Sequence, residues 1–312
     1  MSTCTSASRH FAEPLAGTAP TARTWLLLEQ PGPWGVRALT SSHLDPVLGR
    51  ALEAAAEGTG VRVALIRRPG RHADCRDVRE RQVYVAHTVP GNAWLREATT
   101  TDPGTLLDLD FTALGMGDHR TFDAVLGGRP HIGDPLAFIC TNGKRDRCCA
   151  LLGRPLAAEL SASGVRGTWE VTHLGGHRFS PTLLVLPFGY VYGRAEAQHV
   201  KEVLRGVREG RIVTEGCRGA SAWERPGQAA ELAVRAATGE EASDALAVIR
   251  TEGAAPHWDV TVAHADGRRW SVAVAQGASL PPRQESCGSA LGSPARMDVV
   301  AVRELFPAVL AG

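Results

Sequence analysis

The sequence predicts an α/β fold followed by a small α+β segment. Two stretches, 25–67 and 135–172, each contain an apolar strand-like run, a helix-like segment and a second apolar run, with Gly and Pro between them. A strand–helix–strand unit with short connections implies a parallel strand pair joined by a right-handed crossover. Near the C-terminal end, two runs of alternating apolar and polar residues flank Asp266–Gly267, a pattern typical of a β-hairpin.

The first unit begins with the apolar run 25–30, which has strand length and stops at Pro31. Residues 44–57 then form a predicted helix with Asp45 as its N-cap, and 61–67 form the second strand. Residues 82–88 are expected to be a third strand, 92–99 are ambiguous, and 107–109 could form a short strand. Residues 1–22 are small and polar, so we expect a mobile or loosely packed lead-in with an inert Cys4.

The second unit has clearer boundaries. A buried strand at 135–139 runs directly into Cys140, and 148–161 is helix-like with a break near Arg154. Residues 168–172 form the next strand, 183–187 and 190–192 a hairpin, and 196–208 a helix. In the last segment, 227–238 is a predicted helix, and 257–262 and 269–274 are the two strands of the C-terminal hairpin. The expected domains are therefore 1–115, 116–212 and 213–312.

The charge composition does not favour nucleic acid or an anionic membrane as a partner. The 312 residues include 34 basic and 33 acidic side chains, and a net charge of +1 favours neither nucleic acid nor an anionic membrane as a partner. The first residues lack the features of a secretory signal, and the longest apolar run is far shorter than a membrane span. The sequence thus predicts a soluble, cytoplasmic protein.

The cysteines do not form the pattern of a secreted disulfide framework, because their number is odd and they are spread over a long chain. The seven are Cys4, Cys75, Cys140, Cys148, Cys149, Cys217 and Cys287. In a reducing compartment, clustered cysteines are more often ligands or catalysts.

Two cysteines and two histidines form the main candidate site. Cys140 and Cys149 have eight residues between them, and His173 and His177 have three. One cysteine ends a strand and the other opens a helix, while the two glycines between the histidines permit tight turns. Thiolates and imidazoles in two pairs suit one small metal centre.

The spacing alone leaves two points open. Zinc fits the four ligands as well as an iron–sulfur cluster does. Cys148 could also replace its neighbour Cys149 as a ligand, although a helix residue next to a ligand is expected to face the core.

A family resemblance narrows the choice. The runs CTNGKRDRCCALLGRP and WEVTHLGGHRFSPTLLVLPFGYVYGR, with the motifs C-x8-C and H-x-G-G-H, resemble the sucrase/ferredoxin-like family, a branch of the thioredoxin-like ferredoxins. The likeness is strong over 130–195, and the opening CTSASRHFAEPLAG also resembles bacterial members. The resemblance implies a thioredoxin-like ferredoxin unit preceded by a degenerate thioredoxin-like unit.

The resemblance also implies a function. Cys140, Cys149, His173 and His177 would hold a 2Fe–2S cluster, and the protein would carry single electrons to or from a redox partner protein, a reductase or acceptor that could be a flavoprotein. Neutral imidazoles in place of thiolates would raise the reduction potential, and a titratable imidazole would couple it to protons. The alternative is a zinc-binding structural or interaction module with the same four ligands.

Two enzymatic functions are disfavoured. A thiol–disulfide oxidoreductase would need a C-x-x-C motif, which the sequence lacks. A glycosidase would need a pair of carboxylates around a sugar pocket, and no spacing of the acidic residues singles out such a pair.

Overall fold

The structure is a computed structural model that describes residues 3–70 and 79–306. The predicted mixed α/β class is confirmed within these residues. The helices are α1 (Cys4–His10), α2 (Pro46–Ala56), α3 (Phe111–Gly115), α4 (Arg120–Leu126), α5 (Arg154–Ala162), α6 (Ala197–Arg208) and α7 (Arg225–Thr238). Within the described ranges, no helix combines the length and apolar character needed to cross a membrane.

The strands of the first unit are β1 (Thr24–Glu29), β2 (Val61–Arg67), β3 (Arg81–His87), β4 (Trp94–Thr100) and β5 (Arg129–Pro130). Those of the second are β6 (Leu136–Cys140), β7 (Thr168–Val171), β8 (Leu183–Leu186), β9 (Tyr190–Tyr192) and β10 (Cys217–Ala220). In the described part of the chain, all ten form one mixed sheet in the order β10-β9-β8-β6-β7-β2-β1-β3-β4-β5.

The two units repeat one connectivity. In the first, β1 and β2 are parallel around α2, and β3 pairs antiparallel with β1 and with β4. In the second, β6 and β7 are parallel around α5, and β8 pairs antiparallel with β6 and with β9. The units meet where β2 and β7 pair antiparallel, with Ile66 opposite Val171. Both predicted strand–helix–strand units are therefore present.

Both faces of the sheet are buried, which explains the continuous apolar run of β1. Trp25 and Leu27 belong to a core that extends across both units and includes Cys140 and Cys149. Leu26 and Leu28 pack on the opposite face, beneath α2. Parallel strands covered on both faces commonly have such near-continuous apolar sequences.

The last segment carries a second sheet. Strands β11 (Leu246–Ala254), β12 (His257–His264), β13 (Arg269–Ala278) and β16 (Ala295–Leu305) pair in that order, and α7 packs against them. The predicted hairpin of β12 and β13 is confirmed. A small hairpin, β14 (Arg283–Gln284) and β15 (Leu291–Gly292), lies between β13 and β16.

The N-terminal lead-in is well packed, so the expectation of a mobile segment was wrong. Helix α1 starts with a capping box between Thr3 and Ser6, and Cys4 is buried. Distant side chains satisfy the polar groups of this segment: the guanidinium of Arg194, for example, donates to the carbonyls of Ser8 and Glu13. Composition alone suggested a mobile or loosely packed segment because these partners lie far along the chain.

Residues 107–109 were also assigned wrongly. A 3-10 helix, Pro103–Asp108, occupies this region, and the side chain of Asp102 caps it by accepting from the N–H of Gly104 at 2.8 Å. The ambiguous stretch 92–99 contains most of β4. The predicted cap of α2 is confirmed, since Asp45 accepts from the N–H of Val47 at 2.7 Å.

Candidate metal centre

The four predicted ligands lie at one edge of the sheet. Cys140 is the last residue of β6, and His173 follows the end of β7, the parallel neighbour of β6. Cys149 opens a π-helical turn, Cys149–Gly153, which leads into α5. His177 opens the 3-10 turn His177–Phe179. Because parallel strands end at the same edge, the two loops that carry the ligands face each other.

The four side chains lie close together. Cys140 and Cys149 belong to one core cluster, and Cys140 interacts electrostatically with Cys149 and with His173. The Sγ of Cys149 lies 3.4 Å from the Nδ1 of His177, and the two imidazoles stack with their centroids 4.3 Å apart. The cysteines and His177 are buried, and His173 is partly exposed. The donors thus divide into a sulfur pair and an imidazole pair in contact.

The protonation of the site follows from these contacts. Interaction with Cys149 and with the imidazole of His173 holds the pKa of Cys140 well below its usual range, whereas interaction with Cys140 raises the pKa of Cys149. The sulfur pair therefore favours one thiolate. Burial lowers the pKa of His177 to about 4, which keeps its imidazole neutral at neutral pH, the form that binds metals.

The loop between the histidines requires its second glycine for two reasons. Gly175 and Gly176 have φ values of +79° and +69°, where L side chains are rare. A Cβ on Gly176 would also lie 2.2 Å from the Nη2 of Arg218, whereas a Cβ on Gly175 would meet nothing within 4 Å. Gly176 thus allows a guanidinium to approach the loop closely.

Arg218 is a fully buried cation beside the centre. Its Nη1 donates to the carbonyl of Gly175 at 3.1 Å, and its other hydrogen bonds go to the hydroxyl and carbonyl of Thr18. Among the described residues, no carboxylate pairs with it. Burial lowers its pKa to about 9, whereas the nearby Cys140 and Cys149 act in the opposite direction. Charge on the sulfur pair would therefore stabilise this cation.

A basic cleft opens beside His173. It has a volume of about 330 Å³, and its lining includes Arg37, Arg62, Arg145 and His173. The guanidinium of Arg62 donates to the carbonyl of His173 at 3.0 Å and stacks over the ring of Trp25. Arg62 belongs to β2, so the first unit supplies part of the lining of the cleft beside His173.

Cys148 faces away from this centre. Its Sγ lies 3.5 Å from that of Cys4 and 3.3 Å from that of Cys287. The expectation that Cys148 turns into the core is therefore partly right, because it is buried, but it faces two other thiols. Sequence reasoning missed Cys4, Cys287 and Asp146, which meet Cys148 from distant parts of the chain. Cys75 lies outside the described residues.

The fold and this centre define a mixed α/β protein with buried, convergent cysteine and histidine side chains. The chain belongs to the sucrase/ferredoxin-like family, whose model matches residues 15–219. That match includes all four predicted ligands.

One curated relative is similar to a part of the chain. Altered inheritance of mitochondria protein 32 from Candida glabrata is 27% identical over 101 residues, which cover 28% of this chain and 32% of the relative. The chain thus matches about a third of that protein's length. No solved structure matches the chain significantly.

Proposed function

We propose that the protein transfers single electrons through a 2Fe–2S cluster held by Cys140, Cys149, His173 and His177. The observation that carries the proposal is the convergence of these four side chains from separate loops into one mostly buried group. When bound, the cluster would supply a one-electron redox couple; the chain's own residues bind it, exclude water and set its potential.

The donor set suits a two-iron cluster. The two cysteines share one core cluster and are electrostatically coupled, and the two imidazoles stack on each other, so sulfur and nitrogen donors are already sorted into pairs. Rieske-type clusters use two cysteines and two histidines as ligands. The backbone of Leu174 also lowers the pKa of Cys140, as expected of an amide near a ligand thiolate.

The surrounding charge favours the reduced state. Arg218 is buried beside the sulfur pair, and Arg62 interacts electrostatically with Cys140. With two thiolate and two neutral imidazole ligands, the oxidised cluster is neutral overall, and one added electron makes it anionic. Buried cations stabilise that anionic state and raise the reduction potential.

The strand order supports the finer fold assignment. In the second unit a parallel β6–α5–β7 pair is followed by the antiparallel β8–β9 pair and α6, with sheet order β7-β6-β8-β9. This is the arrangement expected of a thioredoxin-like ferredoxin unit. The first unit has the same order, β2-β1-β3-β4, but carries no equivalent ligand pair among its described residues, which supports its assignment as a degenerate copy.

The cleft beside His173 is the proposed docking site for the redox partner. Its arginines suit an acidic surface, and His173 is the ligand closest to solvent. A flavoprotein reductase stays the predicted class of partner, and a cytoplasmic location and proton coupling stay predictions as well.

Spectroscopy of the anaerobically purified full chain tests the proposal. We expect a brown protein with iron and acid-labile sulfide and, after reduction, an electron-paramagnetic-resonance signal. C140S and C149S should lose the cluster, whereas C217A should keep it. H173C should keep a cluster with a lower potential, because a thiolate adds negative charge. A colourless protein without iron in every preparation would contradict the proposal.

A structural zinc site is the second candidate, and one distance favours it. Tetrahedral zinc with ordinary bond lengths places a thiolate sulfur and an imidazole nitrogen roughly 3.6 Å apart. The separation of 3.4 Å between Cys149 Sγ and His177 Nδ1 is close to this value. Stoichiometric zinc lost in C140S, with no visible absorption in the unmodified protein, would establish this alternative.

A further inference from the structure

A second group of metal-binding side chains lies next to the four-ligand centre. The Sγ atoms of Cys4, Cys148 and Cys287 form a triangle with sides of 3.3, 3.5 and 3.6 Å. The carboxylate of Asp146 completes the group, and all four ligand atoms lie within 4.8 Å of one another. We call these four residues the three-cysteine cluster.

We propose that the three-cysteine cluster binds a single Zn²⁺ ion. Cys4, Cys148 and Cys287 supply three thiolates, and Asp146 supplies the fourth ligand or orients the thiolates. The three thiols lie outside the four-ligand centre, so the proposal does not depend on which metal that centre holds. Asp146 lies near both groups, because one of its carboxylate oxygens is within 4.8 Å of the ligand atoms of Cys149 and His177.

The sulfur spacing fits one ion and not a disulfide. Two thiolates on one tetrahedral zinc lie about 3.8 Å apart, given a Zn–S bond of about 2.3 Å. A disulfide would bring two of the sulfurs to about 2.05 Å and leave the third thiol unpaired. The near-equal sides of the triangle single out no pair. Soft thiolate donors select zinc over calcium or magnesium.

Asp146 holds two of the cysteines in place. One carboxylate oxygen accepts from the N–H of Cys148 and the other from the N–H of Cys287, both at 2.8 Å. Its oxygens lie 3.9 Å from the Sγ of Cys4. Because Asp146 is buried, these bonds orient the carboxylate towards the thiols and not towards solvent.

Three separate segments have to dock before the cluster forms. Cys4 opens α1, Cys148 lies in the loop between β6 and α5, and Cys287 lies in the turn between β14 and β15. In that turn the N–H of Ser289 donates to the carbonyl of Ser286 at 3.1 Å, and Gly288 has a φ of +87°. The turn directs the N–H of Cys287 to Asp146 and its thiol to Cys4 and Cys148.

A buried ion network fixes the hairpin of Cys287 against the N-terminal segment. Glu13 accepts from Arg178 at 2.7 Å and from Arg283 at 3.1 Å, and all three side chains are buried. Arg178 also donates to Glu285 at 3.2 Å. The position of Cys287 is therefore set independently of its sulfur contacts, as expected of a prepared ligand site.

A zinc ion at the three-cysteine cluster would link α1 and the turn between β14 and β15 to the segment that carries Cys148 and Cys149. Binding would displace the protons of the thiols, and the resulting bonds would restrain α1, whose Thr5 hydroxyl donates to the carbonyl of His177 at 3.0 Å. The ion would thus stabilise the position of the loop that carries His177 without itself binding to the four-ligand centre.

Metal analysis of the full chain tests the proposal. The protein is produced with zinc supplied, desalted over a weak chelating resin, and measured for zinc and iron. We expect C4S/C287S to bind one zinc fewer per chain than the unmodified protein, with the same iron content. C217A, which changes a buried cysteine outside both groups, should match the unmodified protein. Equal zinc in all three proteins would overturn the proposal.

A second measurement needs no variant and covers the case in which C4S/C287S fails to fold. The unmodified protein is alkylated before and after treatment with a strong chelator, and its cysteines are mapped by mass spectrometry. Cys4, Cys148 and Cys287 should become reactive together only after chelation, while Cys217 stays unreactive. A Cys148–Cys287 disulfide in the untreated protein, or iron and sulfide lost with C4S/C287S in place of zinc, would overturn the single zinc ion.

Discussion

The Nη2 of Arg67 lies 2.7 Å from the Oε2 of Glu170, and both side chains are buried where the two α/β units join. Arg67 ends β2, Glu170 lies in β7, and the two residues face each other in the strand pair. The same carboxylate oxygen accepts from the hydroxyl of Thr141, the residue after Cys140, at 2.8 Å. The carboxylate of Glu170 in β7 thus links the last residue of β2, in the first unit, to the residue that follows Cys140.

Replacing Glu170 by Gln should destabilise the protein. E170Q keeps the shape of the side chain but removes the buried negative charge that contacts both Arg67 and Thr141, and a buried hydrogen bond to a charged group contributes about 2 kcal/mol. Urea-induced unfolding should show the loss. D118N, which breaks an ion pair with the exposed Arg120, is the matched control and should leave stability unchanged. Equal stability of E170Q and D118N would mean that the charge of Glu170 does not stabilise the junction.

The two loop glycines should differ sharply in their tolerance of alanine. G176A forces a Cβ against Arg218 as well as an unfavourable φ, so it should displace the loop and reduce the bound metal at the four-ligand centre severalfold. G175A meets only the φ penalty, of about 1 kcal/mol, and should retain the metal. Metal content per chain measures both. The idea that Arg218 packs on this loop fails if the two variants retain equal metal.

Charge at Arg218 should set the reduction potential, if the centre holds the proposed cluster. R218Q removes a buried cation beside the sulfur pair and should lower the potential, and R218K should shift it less. Each 1.4 kcal/mol of lost stabilisation corresponds to about 59 mV for one electron. A spectroscopic redox titration measures the shift. R208Q, which removes an exposed arginine paired with Asp134, is the control, and the same potential in R218Q and R208Q would contradict this role.

Protonation of His87 should lower the free energy of unfolding as the pH falls below 6.5. Its Nδ1 lies 2.8 Å from the hydroxyl oxygen of Thr24, and since that hydroxyl donates to the carbonyl of Leu114 at 2.7 Å, the imidazole is the donor in the first bond. Burial, assisted by Arg23, lowers the pKa of His87 from 6.5 to about 4. The unfolded chain therefore binds a proton between these values that the folded chain does not.

The contribution of His87 is fully present above pH 6.5 and is lost as the pH falls towards 4, by at most about 3 kcal/mol. H87Q cannot take up this proton, so its stability should fall less steeply over the same interval. Thermal unfolding of both proteins from pH 4 to pH 7 measures the difference, and acid effects at the metal centre are common to both. Parallel curves would show that the imidazole takes up its proton at the same pH in the folded protein as in the unfolded chain.

Much of the architecture was predictable because it depends on local patterns. The apolar run of β1, the Asp45 cap of α2 and the break near Arg154 are each encoded within a few neighbouring residues. The approach of Cys140 to His173 follows from the same patterns, since they end adjacent parallel strands. No local pattern encodes the antiparallel junction of β2 with β7 that merges the two units into one sheet.

The errors arose where distant residues decide the structure. The segment 1–22 is polar by composition, yet Arg194 and Arg218, which lie far away in the sequence, donate hydrogen bonds to its carbonyls. Cys4 and Cys287 are 283 positions apart, so no spacing rule could pair them. Cys4 and Cys287 stand alone in the sequence and Cys148 was weighed only against its neighbour Cys149, and single cysteines are more often inert core residues.

The shared sheet also means that the second unit cannot be excised and keep its properties. A fragment of residues 116–212 would lose Arg62 from the wall of the cleft, Arg218 from behind the histidine loop and Thr5 from the carbonyl of His177. Residues outside 116–212 therefore supply positive charge and hydrogen bonds to the loops that carry the predicted ligands. Grafting the four ligands onto a lone scaffold would reproduce the coordination but not its electrostatic setting.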